Sequence, residues 1–425
     1  MSFVFQCFFR YNIHDIHTEV IMIIKLHQKH LDKYKKRYPL LFKEALMGAH
    51  QLEQLDEGAL LKLVDTNNKF IATAYYGNQN KGLGWVLSNR ESERIDERFF
   101  TRKIYQSIEK RLGLYNNPKT NCFRVFNGEG DGIGGLTIDY FNGYYLINYY
   151  SKGIYHFKPL IEKALSKSVE YDAIYEKTRY DDDGDDLSSD GFVMGNPAEF
   201  PIIVRENDVQ FAIYFNDGAM VGLFLDQRDV RRAIRHQYTK GKTVLNTFAY
   251  TGAFSVFAAL GGAKQVYSVD LANRTSDRVV ENYQLNGIDP ETHPVIIEDI
   301  FNYFKFAQKK KLKYDVVILD PPSFAKSKQF TFSAEKDYPE LLADAIRITE
   351  PGGIIIASTN AASFDMAKFK QLIGKGFNLA RARFEIVETF QQPRDFKYNH
   401  AYPEGNYLKV LAIRIEKPKL KMPSH

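Results

Sequence analysis

From about residue 200 the chain alternates short, β-branched apolar runs with segments of helical period. V-L-N-T-F (244–248), V-Y-S-V-D (266–270), V-I-I-E-D (295–299), Y-D-V-V-I-L-D (314–320) and G-G-I-I-I-A-S (352–358) read as buried strands. Helices are predicted over 252–260, 273–286 and 338–348, and another opens after Leu225. Strands apolar on both faces and spaced by helices predict α/β architecture with a doubly wound, Rossmann-like sheet. A hairpin, P-I-I-V-R-E-N-D-V-Q-F-A-I-Y-F, opens this region. F-E-I-V-E-T-F and Y-L-K-V-L-A-I-R-I end it and predict an antiparallel pair at the sheet edge.

Upstream the rhythm changes. His27 to Tyr38 predicts a basic helix carrying Lys29, Lys33, Lys35, Lys36 and Arg37, ended by Pro39. A-L-L-K-L-V-D, F-I-A-T-A-Y-Y and G-L-G-W-V-L follow with polar turns between them, as in a small β-barrel-like module. A solvated face explains the basic helix as well as RNA contact does. Next comes an α+β unit: a helix through F-F-T-R-K-I-Y-Q-S-I-E-K-R-L, a hairpin from Phe123 to Tyr140, the strand Y-Y-L-I-N-Y-Y, a helix near 158–166, and D-A-I-Y-E-K. Gly128, Gly130, Gly132, Gly134 and Gly135 lead into a strand, so a hairpin turn is preferred to a phosphate loop. D-D-D-G-D-D at 181–186 reads as a solvated loop, with metal binding the weaker alternative. The expected division is an extension over 1–21, the barrel-like module over 22–94, the α+β domain over 95–199, the Rossmann-like domain over 200–418 and a tail over 419–425.

Composition narrows the classes. The 425 residues are 44% hydrophobic and 26% charged with net charge +5, ordinary for a globular enzyme and permissive of an acidic partner. Cys7 and Cys122 are the only cysteines, which excludes a disulfide framework and a cysteine-rich metal site and suits a cytoplasmic setting. No uncharged apolar run has membrane-spanning length, so no membrane partner is expected. A homodimer is left open.

The candidate chemistry lies at the strand ends. Dinucleotide folds place G-x-G-x-x-G where a pyrophosphate meets backbone. Here the first turn is N-T-F-A-Y-T-G with one late glycine. That looser turn suits a sulfonium amino acid, hence S-adenosylmethionine. Asn246, Thr251 and Gly252 are expected around its methionine end, with Tyr250 of the same turn also binding the cofactor. Asp270 is placed to accept the ribose hydroxyls, Asp299 to lie near the adenine amino group, and Asp320 to end the fourth strand. Helix capping by Asp270 and Asp299 is the competing explanation. Asp320-Pro321-Pro322-Ser323-Phe324 then forms a rigid polar and aromatic lip.

With G-L-F-L-D-Q-R (222–228), N-T-F-A-Y-T-G, S-V-D, D-P-P-S-F and Y-P-E-G-N-Y-L-K (402–409), residues 22–418 resemble the large-subunit (23S) rRNA methyltransferases built from a PUA domain, an α+β linker and a Rossmann-like catalytic domain. The resemblance implies cofactor contacts from Asp226, Gln227 and Arg228, and rRNA or a large-subunit assembly intermediate as partner. That family is attested for cytosine C5 methylation, which needs a cysteine thiolate added to C6. Its cysteine follows the strand after the Asp-Pro-Pro turn, where this chain has Ser358, Thr359 and Asn360. Guanine N7 needs no covalent help, only alignment and exclusion of water. The D-P-P-S-F-A-K-S-K and S-T-N-A-A-S-F pair resembles a guanine-N7 rRNA methyltransferase module that also lacks the cysteine. On that resemblance Phe324 stacks the base, Asp320, Ser323 and Asn360 bond its edge, and Lys326 or Lys328 holds phosphate. The expected product is 7-methylguanine. 5-Methylcytosine is the alternative, and a non-catalytic RNA-binding assembly factor ranks below both.

Overall fold

The computed structural model describes residues 22–79, 82–180, 190–218, 220–326 and 331–416. The extension over 1–21, the acidic run at 181–186, Lys328 and the tail lie outside them. A five-stranded mixed sheet comes first, from Met22–Lys25, Leu40–Leu41, Leu60–Val64, Phe70–Gln79 and Gly82–Ser88. The basic helix packs on it over Gln28–Lys35 only, burying Leu31 and Tyr34. It stops before Pro39 because Arg37 turns left-handed at φ 67°.

The second sheet holds Cys122–Asn127, Leu136–Phe141, Tyr144–Tyr149, Ala173–Thr178 and Phe192–Gly195. The glycine-rich segment makes the tight turn between the first two of these, which pair antiparallel. The helices Glu97–Glu109 and Lys158–Ser168 lie together on this sheet. The first two units share one apolar core that includes Tyr75, Trp85, Phe100 and Phe157. Tyr402 belongs to that core, although it comes from the far end of the chain.

The third sheet has seven strands: β1 (Thr243–Thr247), β2 (Gln265–Asp270), β3 (Val295–Ile297), β4 (Tyr314–Leu319), β5 (Thr349–Thr359), β6 (Phe384–Phe390) and β7 (Lys409–Ile415). Their order is β3-β2-β1-β4-β5-β7-β6. The helices α1 (Ala253–Leu260), α2 (Arg274–Leu285), α3 (Ile300–Lys309), α4 (Ala334–Arg347) and α5 (Met366–Leu379) connect them. Register sets Thr247 opposite Leu319, and Leu319 opposite Ala357. The carboxyl ends of β1, β4 and β5 therefore meet along one edge, where the order reverses around β1.

One expectation holds, one is corrected, and two helices are new. The last two strands form the expected antiparallel pair at the sheet edge, with β6 outermost and β7 held between β5 and β6. The β7 run K-V-L-A-I-R-I is almost wholly buried, whereas F-E-I-V-E-T-F alternates half-buried with exposed, the pattern of an edge strand. The helix expected to start at 338 starts at Ala334, with the Asp337 carboxylate accepting the Ser333 N–H ahead of it. Helices α3 and α5 went unanticipated; Asp299 and Asp365 cap their amino ends by accepting the N–H groups of Asn302 and Lys368.

Candidate active site

The turn from β1 into α1 is wound tightly. Phe248, Tyr250 and Gly252 have φ of 55°, 52° and 75°. A Cβ on Gly252 would stand 2.8 Å from Val279, so the position admits no side chain on two counts. The turn is held from outside. Asp270 accepts the N–H of Tyr250 at 2.9 Å through one oxygen and that of Ala272 at 2.9 Å through the other. Thr251 donates to the Gly222 carbonyl at 2.6 Å. Asp270 thus organises the neighbouring turn and does not cap α2, whereas Asp299 does cap α3.

Two acids sit where β4 and the Leu225–Gln227 turn approach. Gln227 donates to the Ser358 hydroxyl at 2.9 Å and reaches both Asp320 oxygens at 3.3 Å. The Tyr407 hydroxyl donates to Asp226 at 2.9 Å. Burial, with the nearby Asp226 charge, pushes Asp320 up to about 6. Burial also raises Asp226. Among the described residues neither acid forms an ion pair, and the Gln227 carbonyl oxygen is buried without a partner. The two desolvated carboxylates feel the Arg124 and Arg231 charges but have no paired cation, which fits a ligand that brings its own positive charge.

Beyond Asp320, Pro321 is buried and Phe324 is 63% exposed. The Ser323 hydroxyl donates to the Asn360 side-chain carbonyl, tying the Asp-Pro-Pro lip to the loop after β5. That loop is fixed from below. Lys409 is buried and donates to the Ala361 carbonyl at 3.0 Å and the Tyr407 carbonyl at 2.5 Å. Burial lowers it to about 8.

A cleft of about 330 Å³ opens between this edge and the second sheet. Asp226, Tyr250 and Asn360 line it with Phe224, Phe396 and Tyr407; Arg124, Asn148 and Arg179 face them. Gln227 and Asp320 lie just beneath through the bonds above. Not every candidate comes to the cleft. Asn246 is fully buried, its amide donating to Ser255 at 2.8 Å under α1, so it braces the strand–helix joint and does not line the methionine end. Arg228, expected at the cofactor, is consumed by a bidentate pair with buried Asp395. Asp395 also accepts the Arg124 N–H at 3.0 Å, and its carbonyl accepts from Arg111.

Arg124, Asp395, Phe396, Tyr407 and Lys409 went unrecognised in the sequence. Tyr407 and Lys409 belong to the Y-P-E-G-N-Y-L-K segment together with Tyr402. Tyr402 instead packs edge-on against Tyr38 at 5.5 Å and Trp85 at 5.6 Å. The side chain of Lys326 is outside the description. Cys122 is fully buried, its thiol donating to the Arg205 carbonyl at 3.4 Å, and burial pushes that thiol well up. Cys7 lies outside the described residues.

Known proteins are similar to this chain. The profile of the S-adenosylmethionine-dependent methyltransferases matches residues 169–401, and that of the PUA-like domain matches 24–89. YwbD of Bacillus subtilis, provisionally named a ribosomal RNA large subunit methyltransferase, is 50% identical over 92% of this chain and 99% of its own. Ribosomal RNA large subunit methyltransferase I of Yersinia pseudotuberculosis is 32% identical over 89% of this chain and 96% of its own. The crystal structure of SMU.776, described provisionally as a methyltransferase and complexed with SAH, superposes with a TM-score of 0.85 at 33% identity, covering 93% of this chain and all of that one. These comparisons give no support to a homodimer. No helix among the described residues is long and apolar enough to cross a membrane.

Proposed function

The chain belongs to the S-adenosylmethionine-dependent methyltransferases and carries a PUA-like domain, and on that premise we propose that it methylates a base of 23S ribosomal RNA in the cytoplasm, with 7-methylguanine as the product. The names of the large-subunit rRNA methyltransferases it resembles support the RNA class. One observation carries the choice of atom: the only described cysteine is buried against the Arg205 carbonyl, and serine, threonine and asparagine stand at the end of β5 and just after it.

Bound S-adenosylmethionine supplies an electrophilic methyl group on a sulfonium. The unpaired acids Asp226 and Asp320 suit that charge, and Asp270 and Asp299 stand at the two strand ends where the nucleoside part belongs. Asp226, held by Tyr407, and Asp320, held by Gln227, offset positive charge in a site of low dielectric. Methylation at N7 leaves the charge on the base and releases no proton, so no residue need act as a general base. Phe324 offers an exposed ring for the base to stack on, while Ser323 and Asn360 offer polar groups to its edge. Closure of the base over the 330 Å³ cleft excludes water and aligns N7 with the methyl carbon.

Nucleoside mass spectrometry of 23S rRNA from cells with and without the gene, followed by add-back of enzyme and cofactor, tests this. Loss and restoration of 7-methylguanosine is the expected result. Loss and restoration of 5-methylcytidine would overturn the N7 assignment, and an unchanged nucleoside profile would favour a non-catalytic role.

A further inference from the structure

On the far side of the segment Pro393–His400 from the cleft lies a second, open groove of about 750 Å³. Its exposed cations are Lys110, Arg232, Arg394 and Lys397. Two acids also line it. Asp395 is buried and engaged by Arg228, and Asp229 stands 3.9 Å from Arg232. Lys110 shares Asp131 with Arg111 at 3.2 Å. Among the described residues Arg394 and Lys397 form no ion pair, and they project from a backbone that is itself fixed. The Lys397 carbonyl accepts from Asn127 at 2.6 Å, and the Asp395 carbonyl from Arg111.

The segment touches every part of the molecule. Phe396 points into the base cleft and carries the Arg124 guanidinium 4.5 Å over its ring. Asn399 donates to the Arg37 carbonyl at 3.2 Å, joining the segment to the end of the basic helix. Beside it, exposed His400 and half-buried Tyr398 set their rings 5.0 Å apart. Cations spaced along a rigid ridge, with aromatic faces beside them, match the phosphodiester backbone and bases of a single RNA strand.

We propose that Pro393–His400 is an RNA-backbone seat, with Arg394 and Lys397 holding phosphates, that carries a strand between the basic helix of the PUA-like domain and the base cleft. This deepens the RNA reading above and rests on it. The ridge sets which nucleotide reaches Phe324, because its two faces border the strand groove and the cleft at once.

The test uses the full chain, a 20-nucleotide single-stranded RNA of mixed sequence as probe, and potassium chloride titrations. The double variant Arg394→Gln/Lys397→Gln is compared with Lys309→Gln/Lys310→Gln at the end of α3, outside the groove. Removing two phosphate contacts lowers the log–log salt slope by about 1.4, at roughly 0.7 per contact on a single strand. SAH affinity and the thermal midpoint stay at wild-type values. A wild-type slope in the Arg394/Lys397 variant overturns the seat, as does an equal fall in the Lys309/Lys310 variant. Wild-type protein that binds SAH but shows no salt-dependent RNA binding overturns the RNA reading itself, and the seat with it.

Discussion

Buried carboxylates are treated in opposite ways in two neighbouring regions. At the junction between the second and third sheets, Asp131, Glu206 and Asp395 are each matched by an arginine: Arg111, Arg231 and Arg228. At the edge of the third sheet, Asp226 and Asp320 are hydrogen-bonded by neutral groups, Tyr407 on the first and Gln227 and Ser358 on the second, with no paired arginine. The junction is saturated with counter-charge and acts as a strut. The edge keeps an electrostatic deficit that a cationic ligand would fill. Burial of an acid therefore does not mark a site; burial without a cation does.

The largest effect expected at the junction is on stability. Asp395→Ala leaves the Arg228 guanidinium buried alone, and urea unfolding should show a loss of about 3–5 kcal/mol. At the edge the same kind of change should spare the fold. Asp320→Asn removes a desolvated charge, so stability should hold while methyl transfer falls by about a hundredfold or more. A variant that unfolds would erase the distinction between strut and site. Phe324→Ala, which deletes an exposed ring, should leave stability unchanged and cost about 1–3 kcal/mol of RNA binding in a filter assay.

The sheet was legible because its strands are β-branched runs with acids or glycines at their ends. Helix α3 was hidden although its period is present. Ile300, Tyr303, Phe304 and Ala307 form its buried face, but so many aromatic residues also suit a strand. The site was legible where it is local: Asp320, Ser323 and Asn360 stand in recognisable turns. It was illegible where it depends on pairing across the chain. Arg228 meets Asp395 167 residues away, and no period in the sequence announces such a contact. Arg228 looked like a ligand contact because its partner was out of view.

A pH titration sharpens the comparison at smaller scale. Asp320 in the folded chain is raised to about 6, so the native state holds its proton more tightly than the unfolded chain does. Its contribution to stability is thus present below the unfolded value and lost as pH rises through about 6. Cofactor binding should run the other way, since a cation prefers the ionised acid. Calorimetry with S-adenosylmethionine should show affinity rising by up to about tenfold per pH unit below 6 and levelling above it, with the step absent in Asp320→Asn. The smallest effect is expected at Cys122. Cys122→Ala should cost about 1 kcal/mol and leave methylation unchanged in a nucleoside assay. Lost methylation with an intact fold would restore covalent C5 chemistry.

Strand β7 is made after every other strand of its sheet, yet it lies inside it. Until residues 409–415 have left the ribosome, β5 and β6 have no partner between them and present open backbone donors and acceptors. A product cut short before Lys409 is then more than inactive. It lacks the strut under the Asn360 loop and exposes two strand edges on which other chains can nucleate. Premature stops late in the reading frame should accordingly yield insoluble protein and not a folded, weakened enzyme.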